Sequence, residues 1–160
     1  MPDATVYMVL DGASTPDLPQ TLARLGVESV CLYQGELAQI QAQMAPYLAV
    51  FEPNAPFAEW VLEEGWGKHW GTSLPSARRI FARCASTRTF LKVYGPDLKP
   101  LYLAITIHGC CVPICRPVIG RSCARYSVRS RYIVEDEDPV ALLKFQPAGD
   151  QVKREQIVLA

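Results

Sequence analysis

The sequence predicts a single α/β domain, a mixed β-sheet flanked by helices. Three observations carry that prediction. Short β-rich apolar runs alternate with helix-patterned stretches from Thr5 to Leu74, as strand–helix units require. At 160 residues the chain has room for one core and little more. Its apolar share of 49% and charged share of 20% are those of an ordinary globular domain.

The elements follow in order. Thr5–Leu10 (TVYMVL) reads as a strand closed by the turn pair Asp11-Gly12. Thr15 is expected to cap a helix that Pro16 begins and Asp17 favours electrostatically. Leu18, Leu22 and Leu25 share one face of that helix, and Gly26 ends it. Val27–Tyr33 is a second strand. Leu37, Ile40 and Met44 mark a short amphipathic helix that Pro46 stops, and Tyr47–Phe51 is a third, central strand. Asn54 is expected to cap the next helix, whose buried stripe is Phe57, Trp60 and Val61 and whose stop is Gly65. Trp66–Leu74 reads as a glycine-punctuated turn and strand. Pro100–Ile107 and Tyr132–Val134 are further strands, and Val140–Phe145 is a strand or a short helix. Residues 1–146 thus form the domain, and 147–160 a polar C-terminal tail. There is no internal repeat and no low-complexity segment.

No apolar run approaches the roughly 20 residues of a membrane helix. The start, MPDATVYMVLDG, lacks the basic region and small-residue cleavage site of a secretory signal. The expected location is cytoplasmic, where thiols stay reduced and a disulfide framework is not expected.

The net charge of zero is a cancellation. Nine of eleven arginines and five of six cysteines lie between Ser76 and Val134, with Asp97 the one acid there. Three readings of that stretch compete. His108, Cys111, Cys115 and Cys123 offer zinc a soft-ligand set, but only Cys111 and Cys115 form a close pair, and tetrahedral sites usually use two. A thiol nucleophile, Cys110 or Cys111 activated by His69 or His108, is a related option. The plainer reading of a cytosolic cysteine is a small buried hydrophobe. Arg116, Arg121, Arg125 and Arg129, with Tyr126 and Tyr132 to stack on bases, could line a nucleic-acid strip. No lysine accompanies them, no basic helical face emerges, and the neutral balance argues against a generic DNA binder.

The third reading fits best: text translated out of frame. Arg, Cys, Ala, Ser and Pro with few acids are what GC-rich DNA yields in the wrong frame. Joining the free third base of each codon to the first two bases of the next tests this. From Leu103 onward that offset permits Arg-Tyr-Tyr-Asp-Pro-Arg-Val-Leu-Arg, and over Ser122–Ser130 it permits Glu-Leu-Arg-Ala-Leu-Phe-Gly-Pro-Val. Over Arg79–Thr87 it permits Asp-Phe-Arg-Ala-Leu-Arg-Gln-His, a sound helix segment. Residues 76–88 and 103–130 are therefore expected to lie between compensating frameshifts.

The remaining text carries a resemblance. VYMVLDGA, LYQGE, MAPYLAVFEP, WVLEEGWGKHWG, RTFLKVYGPDLKPLY and RYIVEDEDP, in that order, resemble the small bacterial domain that serves as adaptor or chaperone in type VI secretion (the Tap/TEC group, long labelled a domain of unknown function). The resemblance covers most of residues 5–146, and Trp60–Gly71 and Leu10-Asp11-Gly12 are its most specific pieces. It implies a non-enzymatic protein without cofactor, whose partners are a toxin effector and the VgrG spike, with no nucleic acid and no membrane. It also implies a Tyr-Asp-Pro-Arg-Val-Leu segment after Leu101-Tyr102. The written chain has Ala104–Cys111 there, and the shifted reading restores the segment.

Within the resembling text, Trp60, Trp66 and Trp70 are a concentrated aromatic investment. Trp60 is expected in the core. Trp66, His69 and Trp70, among Gly65, Gly67 and Gly71, are the expected partner-binding residues, with packing against the sheet the competing reading. Glu63 and Glu64 are expected to be the solvated face of their helix, and Glu135-Asp136-Glu137-Asp138 a solvated turn.

Overall fold

The computed structural model describes residues 5–76, 92–94, 100–102, 132–148 and 151–159. Strand β1 (Thr5–Asp11) is the organising element, with Tyr7, Met8, Val9 and Leu10 buried in succession. A strand can bury consecutive residues only when both faces of its sheet are covered. Tyr7 and Val9 join Leu48 and Leu74 on one face; Met8 and Leu10 join Leu18, Leu22, Phe57 and Val61 on the other. That explains why TVYMVL is a continuous apolar run rather than an alternating one.

Helix α1 (Leu18–Arg24) leads to β2 (Ser29–Cys31), the short α2 (Glu36–Ile40), β3 (Pro46–Phe51), α3 (Pro56–Gly65) and β4 (Gly71–Ser76). Farther along come β5 (Lys92–Tyr94) and β6 (Pro100–Tyr102), which pair with each other, then β7 (Tyr132–Glu135), β8 (Ala141–Ala148) and β9 (Gln151–Val158). Among the described residues the main sheet has seven strands in the order β2-β3-β1-β4-β7-β8-β9.

Every pairing in it is antiparallel, so the expected mixed sheet is corrected. The physical reason lies in how the crossovers interleave. β1-α1-β2 returns the chain parallel to β1, but β3 is inserted antiparallel between the two. β3-α3-β4 does the same around β1. Residues 5–76 thus form a β-α-β-β-α-β unit with split crossovers. Its helices α1 and α3 contribute to one apolar cluster with Met8, Leu10 and Ala49. The fold is α/β but dominated by its sheet.

Local expectations fare unevenly. Thr15 does not cap α1. It is buried with its hydroxyl lacking a hydrogen-bond partner, and Asp17, at φ 49°, holds the N-cap position without a side-chain bond. Asp11 draws Thr15 into the preceding turn through a 2.9 Å bond from the Thr15 amide to its carbonyl, and Pro19 rather than Pro16 falls in the first helical turn. Asn54 likewise adopts φ 66° one residue before the true N-cap, Ala55, leaving Pro56 to open α3. Two positions of the stripe expected on α2 are not buried: Ile40 is 78% exposed and Met44, beyond the helix end, 60%. A five-residue helix ends before Met44 and cannot carry it on its face. The range 147–160, read as a polar tail, carries the whole of β9, which pairs with β8 along its length. Of Val140–Phe145, the residues from Ala141 onward are strand, with Leu143 and Phe145 packed beside Val134.

The windows 76–88 and 103–130 lie outside the described residues apart from Ser76, the last residue of β4. The described residues contain no helix long and apolar enough to cross a membrane.

Candidate functional site

The segment from Trp60 to Gly71 takes in the second half of α3, its connection to β4 and the first residue of that strand, and its glycines decide its path. Gly65 ends α3 where a Cβ would stand 2.6 Å from the Trp70 ring, so only a bare backbone lets that indole lie against the last helical turn. Gly67 and His69 both take left-handed conformations, at φ 77° and 54°, and reverse the chain within a few residues. Gly71 then enters β4 with its Cβ position 2.2 Å from the Val9 carbonyl oxygen, a close approach that any side chain would forbid.

The reversal points backbone N–H groups toward β7. The amides of Gly67 and His69 each donate to Glu135 Oε2 at 3.1 Å, and His69 Nδ1 lies 3.2 Å from the same oxygen. Nearby, Trp66 Nε1 donates to the Pro139 carbonyl at 3.1 Å. One carboxylate and one turn carbonyl therefore tie the α3–β4 loop to the β7–β8 turn. The space left between them is about 10 Å³, lined by Trp66, Glu135 and Pro139, roughly one water's worth and too small for a ligand.

The three expected partner-binding residues thus come together in one loop with different surroundings. Trp70 is 5% exposed and belongs to the main core, its ring 5.1 Å from Trp60, with Lys68 Nζ 5.3 Å from its centroid. Its backbone carbonyl accepts from Asp11 at 2.9 Å, joining the loop to the end of β1. Trp66 and His69 are half-buried and held by Pro139 and Glu135. Trp60 is half-buried and packs against the core cluster, stacked with Phe57.

Asp11-Gly12 is a turn, as expected. Asp11 is buried, and its carboxylate accepts from the Ala13 amide and the Ser14 hydroxyl at 3.0 and 3.2 Å. Glu63 and Glu64 are exposed, as the helix pattern implied. Sequence reading missed Glu135, which sits first in an acidic run and so resembled its solvated neighbours. Glu135 still lies in β7, whereas Asp138 bonds locally to the Val140 amide, and Asp136 accepts from the Glu137 amide and from the Gln156 side chain.

The alternative metal set, His108, Cys111, Cys115 and Cys123, lies outside the described residues, as do Cys110 and the arginines Arg116, Arg121, Arg125 and Arg129. Among the described residues no group of three or more His, Cys, Asp or Glu side chains could hold a metal ion.

A second concavity, of about 340 Å³, opens at the end of the split unit where α1 runs into β2 and β3 runs into α3. Val27, Val50 and Phe57 give it an apolar lining, and Glu28 and Glu52 stand exposed at it.

Neither the curated proteins nor the solved structures yielded a match to the chain. A protein-family model does match, over residues 6–111, taking in β1 to β6, the clamped loop and the first part of the cysteine-rich stretch. The chain belongs to that family, described as Domain of unknown function (DUF4123).

Proposed function

We propose that the chain is a non-enzymatic adaptor that binds a type VI secretion effector and helps load it onto the VgrG spike, acting in the cytoplasm. Family membership over residues 6–111 is the observation that carries this reading, together with the ordered motifs from VYMVLDGA to RYIVEDEDP. The most specific of those motifs, WVLEEGWGKHWG, forms the helix end and clamped loop, where Trp66, His69 and Trp70 are each held by the domain itself. Those residues hold the α3–β4 loop in one conformation, a scaffold for recognition. Stable recognition of this kind takes on the order of 800 Å² of surface per partner.

The test is co-expression of the tagged chain with the toxin encoded beside it. The expected result is a complex that survives gel filtration, and a toxin that becomes soluble only when the chain is present. A toxin that is soluble alone and elutes separately would overturn the reading. Metal analysis of the same preparation bears on the zinc alternative, since an adaptor needs no stoichiometric metal.

A further inference from the structure

We infer that the concavity between α1 and α3 is a docking groove for a partner segment carrying an arginine or lysine next to an apolar residue. This deepens the adaptor reading and rests on it. The groove has about 340 Å³, room for one or two side chains and at the small end of ligand pockets. Its walls come from the α1–β2 connection (Leu25 to Glu28), from Val50 and Glu52 at the end of β3, and from the start of α3. Leu25, Val27, Val50 and Phe57 supply apolar surface; Glu28 and Glu52 supply two carboxylates, and among the described residues no lysine, arginine or histidine lines it.

Charge complementarity selects the occupant. Neither Glu28 nor Glu52 makes an ion pair among the described residues, so both are available to a cation from outside. An anion would meet two carboxylates, and Pro56 removes one of the backbone donors that the start of α3 would otherwise offer it. A purely apolar group would use the lining but leave both carboxylates unanswered. A long basic side chain satisfies the two halves together: its methylene stem covers apolar surface while its head forms charge-assisted hydrogen bonds. A neighbouring apolar residue on the same segment would fill the remaining lining.

The experiment titrates the isotope-labelled full chain with two blocked tripeptides, Leu-Arg-Leu and Leu-Glu-Leu, and follows backbone amide shifts. The expected result is saturable movement of the Val27, Glu28, Glu52 and Phe57 amides with the arginine peptide alone, weakened severalfold in 0.5 M salt, as roughly expected of solvent-facing charge pairs. The double variant Glu28→Gln, Glu52→Gln should weaken binding about tenfold while leaving the melting temperature in place, because both side chains are exposed. Equal response to both peptides, no movement of the groove amides, or an unchanged affinity in the double variant would overturn the assignment. Should the toxin copurify while the arginine peptide leaves the groove unmoved, the groove fails and the adaptor reading stands. Should the peptide bind as described and no toxin copurify, the groove stands and the adaptor reading fails.

Discussion

Glu135 Oε2 lies 3.2 Å from His69 Nδ1 and accepts the His69 and Gly67 amides as well, so a single oxygen gathers the α3–β4 loop onto β7. Glu135 and His69 are 66 positions apart in the chain, and the contact joins the split β-α-β-β-α-β unit to the three strands that extend its sheet.

Replacing Glu135 with alanine removes the acceptor shared by the half-buried His69 amide and the exposed Gly67 amide. Hydrogen bonds to a charged group contribute about 1.5–3 kcal/mol, so Glu135→Ala should lower the melting temperature by several degrees. Glu137→Ala, two residues along on the exposed turn, should leave it within about a degree. Differential scanning calorimetry checks both, and equal melting temperatures for the two variants would remove the clamp from the account.

Gly71 has its Cβ position 2.2 Å from a backbone carbonyl of the neighbouring strand, which cannot yield without disturbing the β1–β4 ladder. Overpacking of this kind costs about 1–3 kcal/mol or more. Gly71→Ala should therefore shift the urea midpoint clearly downward. An unchanged midpoint would mean that the strands can part at little cost.

Tyr47 titrates at about 12, raised chiefly by burial and secondarily by Cys31 across the β2–β3 pair, and its hydroxyl donates to the Ala42 carbonyl. The sign follows directly. Between the ordinary tyrosine value of about 10 and 12 the folded chain keeps this proton and the unfolded chain loses it, so stability falls as pH rises through that window. Tyr47→Phe should flatten that part of the stability–pH curve. A curve of the same steepness in the variant would contradict the cause given.

Much of residues 5–76 was legible because burial dictates residue type there. The run at β1, the Leu18–Leu22 face and the Phe57–Val61 face each announce an element and its buried side. Antiparallel insertion was not legible, because a split crossover and an adjacent one share the same order of strand and helix patterns. Caps misled for a related reason: Thr15 and Asn54 are good capping residues whose neighbours draw them into turns instead. The site was half legible. The aromatic loop stood out, but Glu135 has its effect through a carboxylate 66 residues away from His69, and no local pattern encodes that distance. Polar composition hid β9, since Lys153, Arg154 and Glu155 are exposed and have no apolar face to reveal a strand.

The arginine- and cysteine-rich windows, 76–88 and 103–130, make a genetic prediction. DNA from a close relative should read through both windows in the shifted frame, giving Tyr-Asp-Pro-Arg-Val-Leu after the counterpart of Leu101-Tyr102. A chain rebuilt in that frame should unfold at a higher temperature than the written one. An undisturbed frame in both genes would end the frameshift account.

Loading of the toxin tests the central claim most directly. Spike complexes purified from cells with and without this chain should differ about tenfold in bound toxin by quantitative mass spectrometry, roughly 1.4 kcal/mol of coupling, with the deficit restored by the chain supplied in trans. Equal toxin on both spikes would contradict the adaptor account.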